Sequence, residues 1–122
     1  YEYSRHRDFV IQQIQEGKKV VLLAHAEGSI YANKVYNLLS STQKQSVKLV
    51  YVAPTVNSMA DNSTNYITNP SDTIISNIRT NAQTNTSIPV PLPANMAAAT
   101  FDSEVDFGSN HELPGYAKAY KQ

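Results

Sequence analysis

An α/β layer fold built on a parallel sheet is the architecture expected of this chain of 122 residues. Short apolar runs alternate with segments of helical periodicity, as strand–helix–strand units require. The run Lys19 to His25 lacks polar alternation, the pattern of a parallel strand covered on both faces. A small-residue turn, Ala24-His25-Ala26-Glu27-Gly28, joins that run directly to an amphipathic segment.

Arg5 to Glu16 reads as a helix with Phe9, Val10 and Ile14 on one side and Gly17 as its stop. Lys19 to His25 is the first strand. From Gly28 to Leu39 a helix gathers Ala32, Val35, Tyr36 and Leu39 into one packing face. Ser40 to Ser46 is a polar connection, and Val47 to Val52, closed by Ala53-Pro54, is the second strand. A polar loop, Asn57 to Asn65, leads to a short strand at Tyr66-Ile67-Thr68. Asn69-Pro70-Ser71-Asp72 is a turn, and Ser71 or Asp72 can cap a helix over Thr73 to Arg79. The Asn-, Thr- and Pro-rich stretch Thr80 to Ala94 reads as irregular loop. Ala97 to Val105 fits neither pattern cleanly, and Pro114 to Tyr120 reads as a short terminal helix preceded by His111 in a Gly/Ser/Asn-rich turn.

Composition narrows the functional classes. The length fits one domain. Ten basic and ten acidic side chains are scattered along the chain, so no Lys/Arg cluster offers a footprint for nucleic acid. The longest apolar stretch, Val20 to Ala24, is far too short to cross a bilayer. With no cysteine, disulfides, thiolate nucleophiles and thiolate metal sites are all excluded. The abundance of Asn, Ser and Thr with little charge suits an exported protein rather better than a cytoplasmic one.

The turn at 24–28 carries the chemistry. A strand that turns sharply into a helix needs small residues two before and two after the apex, here Ala24 and Gly28, because larger substituents collide. The apex of such a nucleophile elbow holds the attacking oxygen or sulfur, and here it is Ala26. Acyl transfer further needs a histidine to take the proton and a carboxylate to hold the histidine. The chain order nucleophile, acid, histidine is met by position 26, Asp72 after the third strand, and His111.

Ala24-His25-Ala26-Glu27-Gly28-Ser29 resembles the (Gly/Ala)-His-Ser-Gln-Gly-(Gly/Ser/Asn) elbow of α/β-hydrolase lipases and esterases. The continuation Ile30-Tyr31-Ala32-Asn33-Lys34-Val35-Tyr36 looks like a bacterial branch of that family, and Val50-Tyr51-Val52-Ala53-Pro54, Tyr66-Ile67-Thr68 with Asp72, and His111 with Tyr116 resemble its C-terminal half. The resemblance implies a partial α/β-hydrolase fold, with residues 1–122 as a single domain or the C-terminal portion of a larger one. It implies hydrolysis of carboxylic esters, lipid-like or short acyl, without cofactor or metal. Asp72 and His111 would complete a triad, and the backbone N–H of Glu27 would serve the oxyanion. Asp61 is the alternative acid, while Asp102 and Asp106 lie too near His111 in sequence.

Two departures qualify the expectation. The family's serine is Ala26, so the chain reads as an inactive Ser→Ala form. Alanine removes the hydroxyl yet keeps the left-handed strain expected of an elbow apex, as a deliberate substitution would. The strands and oxyanion loop that precede the elbow in the family are also missing, so a complementary N-terminal segment or second chain is expected beside the sheet. A compact monomer with a closed core would contradict that.

The remaining candidates have plainer readings. His6 belongs to a charged helical surface, and His25, beside the apex, is structural in the family. Ser29 falls in the first helical turn and is a poor replacement nucleophile. Asp72 can equally serve only as a helix N-cap. A metal site from His25, Asp61, Asp72 and His111 lacks close ligand spacing. Tyr31, Tyr36, Tyr51 and Tyr66 are expected to pack against the sheet. Two further functional readings stay open. One is a catalytically dead pseudo-hydrolase module that binds an acyl ligand or a protein partner. The other is a flavodoxin-like domain with an accidental elbow, which places His111 far from residue 26.

Overall fold

A computed structural model of the chain describes residues 2–95. Expectations for Ala97 to Val105, Asp102, Asp106, His111, Tyr116 and the helix from Pro114 to Tyr120 lie outside the described residues. Among the described residues the elements run in the order α1 (Glu2–Gln15), β1 (Val20–His25), α2 (Gly28–Asn37), α3 (Ser41–Lys44), β2 (Val47–Val52), β3 (Tyr66–Ile67) and α4 (Thr73–Thr84). The strands form one parallel sheet in the order β1-β2-β3, with Val20 opposite Val47 and Tyr51 opposite Tyr66. This is a small α/β sheet with flanking helices, as the alternation of apolar runs and helical segments implies.

The central strand organises the core. In β2, Val47, Leu49 and Tyr51 are buried on one face beneath Val10 of α1 and Ala32, Tyr36 and Leu39 of α2 and its exit. Leu22 and Ala24 of β1 share that face. Leu49 is fully buried, so Leu49→Ala should cost about 2–5 kcal/mol through lost burial and an unfilled cavity. Urea unfolding measures this, and a loss below about 1 kcal/mol would place Leu49 outside a packed core.

Helix ends follow local chemistry. Gly17, at φ 84°, closes α1 in the left-handed conformation. Its N–H donates to Ile14 O and the Lys18 N–H to Gln13 O, so two terminal carbonyls are satisfied. Asp72 caps α4 through a 2.9 Å bond from the Ile75 N–H to its Oδ1. The polar connection expected at 40–46 instead contains the single turn α3. There the Gln43 N–H donates to Ser40 Oγ and the Ser40 N–H to Gln43 Oε1, a reciprocal capping box.

Three further expectations need correction. Helix α1 begins at Glu2, not Arg5, because Tyr3 packs its ring against Tyr31 of α2 at 4.6 Å. Helix α4 continues past Arg79 to Thr84, since Ala82 is buried and the Thr80 and Thr84 hydroxyls donate to Ser76 O and Asn81 O. Among the described residues the sheet is also not covered on both faces. Val21 and Leu23 of β1 are 60% and 67% exposed and Phe9 of α1 is 61% exposed, so Phe9 does not join Val10 in the core. On that second face α4 packs only at the far end, with Ile75 and Ile78 against Val52 and Ile67.

The outer edge of β3 is closed by the chain itself. The Asn95 side chain accepts from the Thr68 N–H and donates to Tyr66 O, while its own N–H donates to Thr68 O. Arg79 holds the same segment by donating to Leu92 O, and the Tyr66 hydroxyl donates to Pro93 O.

Candidate functional site

The carboxyl ends of parallel strands are where ligands meet an α/β sheet. At the end of β1 the chain leaves the strand at His25 and enters α2 at Gly28. Ala26 sits between them at φ 54°, a conformation that costs a non-glycine residue roughly 1 kcal/mol. Four hydrogen bonds fix it there. The Ala26 N–H donates to Val52 O at 2.9 Å, and Ala26 O accepts from the Ser29 N–H at 3.1 Å and the Ser29 hydroxyl at 2.6 Å. Ser29 Oγ in turn accepts from the Thr55 N–H at 3.2 Å, tying the turn to the loop after β2.

Ser29 is therefore a structural clasp. It is fully buried with its hydroxyl engaged at both ends, in keeping with its expected packing role. Glu27, exposed at the N-cap of α2, makes no side-chain cap bond, and its N–H has no protein acceptor among the described residues. The turn is looser at Gly28 than its chemistry implied. A Cβ there would lie 3.8 Å from Ala24 Cβ, ordinary contact, so alanine fits and only longer side chains crowd.

The two candidate acids occupy different surroundings. Asp72 follows β3 directly, is fully buried, and serves the N-terminus of α4. Asp61 lies in the loop after β2, half-buried, and accepts from the Ser63 N–H at 3.0 Å. Its charge adds to burial in pushing the Tyr51 and Tyr36 phenols above their ordinary values, with burial the larger cause. Asp61 is thus tied to the tyrosine side of α2. His111 lies outside the described residues, so its distance from position 26 is not part of this geometry.

The folded state holds the Tyr51 phenol neutral, its hydroxyl donating to Asn33 Oδ1 at 2.6 Å. Stability from that group is intact below the unfolded tyrosine value of about 10 and is lost as pH rises above it. Alkaline titration should show Tyr51 ionising only together with unfolding. Absorbance near 295 nm alongside circular dichroism checks this, and full tyrosinate formation in the intact fold would contradict it.

Sequence reasoning missed Asn33. Its Oδ1 also accepts from the Ala60 N–H, and its Nδ2 donates to Ser58 O, so one side chain shapes the loop beside the turn. No local signal distinguishes this asparagine, because all its partners lie 18 or more residues away. Between that loop and α2 opens a cavity of about 380 Å³, lined by Glu27, Ile30, Val56, Ile78, Ile88 and Pro89 among others. The Thr55 hydroxyl, another lining group, is buried without a hydrogen-bond partner among the described residues.

His6 is on the exposed side of α1 with its ring edge on Tyr31 at 5.1 Å, and His25 is half-buried at the end of β1. Tyr36, Tyr51 and Tyr66 pack in the core as expected, whereas Tyr31 packs on α1. Among the described residues, no group of three or more His, Asp or Glu side chains is placed to hold a metal. Nor is any helix there long and apolar enough to cross a membrane. No protein-family model matches the chain, and neither a curated protein nor a solved structure matches it.

Proposed function

We propose that this chain carries the catalytic part of an α/β-hydrolase acting on carboxylic esters, in a form that lacks the nucleophilic oxygen. The observation carrying the reading is Ala26 at φ 54° between a parallel strand and a helix N-terminus. A serine there would point its hydroxyl out of a strained turn beside the Glu27 N–H, which has no protein acceptor among the described residues. In the Ala26→Ser form the restored hydroxyl oxygen attacks the ester carbonyl while His111 takes its proton. His111 then protonates the departing alcohol, and water repeats the cycle on the acyl-enzyme. Asp72 holds the imidazole and stabilises its charge. The Glu27 N–H, aided by the helix dipole, stabilises the oxyanion.

The cavity beside Glu27 and Ile30 suits the acyl group. Its apolar lining and volume of about 380 Å³ fall at the small end of ligand pockets, which favours short acyl chains. The second oxyanion donor and further strands would come from a complementary segment or a second chain beside β1. Ala26→Ser treated with a fluorophosphonate tests the reading: a covalent adduct on residue 26 is expected, and an intact fold that never labels would overturn it.

A second reading rests on the same cavity together with the methyl at position 26. It makes the chain a pseudo-hydrolase module holding an acyl ligand. Octanoate binding by the unaltered chain, with no turnover after Ala26→Ser, would favour it.

A further inference from the structure

We propose that Thr55 selects acyl groups carrying a hydroxyl close to the ester carbonyl, which rests on the reading of the cavity beside Ile30 as the acyl site. Thr55 lines that cavity and is 8% exposed, yet its hydroxyl has no hydrogen-bond partner among the described residues. Leaving a buried hydroxyl unpaired is costly, and a ligand atom that pairs with it removes the penalty. The other polar side chains lining the cavity are engaged or solvated. Asn33 is bonded to Tyr51, Ala60 and Ser58, while Glu27 and Asn57 are exposed. A single unpaired polar group among apolar walls is the arrangement that fixes which ligand a pocket accepts.

The link from Thr55 to the turn sets where on the acyl chain the oxygen belongs. The Thr55 N–H donates to Ser29 Oγ at 3.2 Å, and the Ser29 hydroxyl donates to Ala26 O at 2.6 Å. Thr55 thus lies two hydrogen bonds from the apex. Its hydroxyl meets the first few carbons of an acyl group held at position 26, not the far end of a long chain. As it stands, that hydroxyl is closed to solvent. Rotation about χ1 brings it to the cavity side, and among the described residues no hydrogen bond has to break. A threonine hydroxyl both donates and accepts, so it pairs with an acyl hydroxyl in either sense. A methyl group in the same place leaves it unpaired, which separates a hydroxyacyl group from its branched-alkyl isostere.

Exchanging hydroxyl for methyl on each side of the contact tests this with the full chain. Thr55→Val makes the exchange in the protein. Ethyl 2-methylpropanoate and ethyl 3-methylbutanoate make it for ethyl lactate and ethyl 3-hydroxybutanoate. NMR titration of the unaltered chain, with both enantiomers of each hydroxy ester, gives the affinity ratio of hydroxyl to methyl ligand without turnover. In one of the two pairs Thr55→Val should lower that ratio about five- to tenfold, and Thr55→Ser should keep it. A ratio that Thr55→Val leaves unchanged in both pairs would overturn the proposal. So would the absence of saturable binding by any of the esters. A Thr55→Val chain that circular dichroism shows unfolded would overturn it too, since the hydroxyl would then serve the protein itself. Hydrolysis of the same esters by Ala26→Ser reads the ester chemistry separately. A ratio that shifts while no ester is cleaved would support the selectivity and overturn the hydrolase reading alone.

Discussion

Ala26→Ser should turn an inert chain into an esterase. Removing the serine of such a triad costs about a millionfold in turnover, so its return should raise hydrolysis of a short p-nitrophenyl ester by a factor approaching that. The substitution adds one oxygen at a position already in the left-handed conformation, so little reorganisation is required. Stability should change by less than about 0.5 kcal/mol, because neither residue relieves the strain. A gain confined to a few-fold would mean that the proton acceptor or the oxyanion donors are absent. A complementary segment that supplies the second donor should raise the gain by a further factor of about 10²–10³.

In that restored background, Asp72→Asn should lower turnover about 10⁴-fold while leaving the fold intact. The reasoning separates two roles of one carboxylate. As a cap, Asp72 accepts from the Ile75 N–H, and asparagine caps a helix about as well. As the triad acid, it must hold the histidine tautomer and stabilise the imidazolium, which an amide cannot do. Asp72→Ala, by contrast, should lose both activity and about 1 kcal/mol of stability. Asp61→Asn should leave turnover unchanged, since its Oδ1 serves the Ser63 N–H in a local turn. Activity surviving Asp72→Asn but lost with Asp61→Asn would transfer the acid role.

What was legible follows from what is local. β2 at Val47–Val52 has the bounds its apolar run implies, and β1 differs by one residue at its start. Ala32, Val35, Tyr36 and Leu39 are all buried, because helical spacing and a nearby apolar strand leave no other packing. The Asp72 cap was legible for the same reason. The box at Ser40 and Gln43 was present in the sequence, but four residues of helix look like polar linker. Helix α4 was underestimated because Thr80, Asn81 and Thr84 are weak helix formers, although the Thr80 and Thr84 hydroxyls bond back onto the helix. The open face of β1 shows the limit of pattern reading. An apolar run fits a strand covered on both faces, yet among the described residues Val21 and Leu23 stand exposed. The roles of Asn33 and Asn95 depend on partners far away in sequence and leave no local trace.

The central claim is that position 26 is the attacking end of a triad completed by His111. A crystal structure of the chain that orders His111 measures this directly, as the distance from Ala26 Cβ to the nearer imidazole nitrogen. One missing C–O bond plus a hydrogen bond predicts about 4 Å. A separation beyond about 8 Å, with Asp72 bonded only to its own helix, would contradict the account.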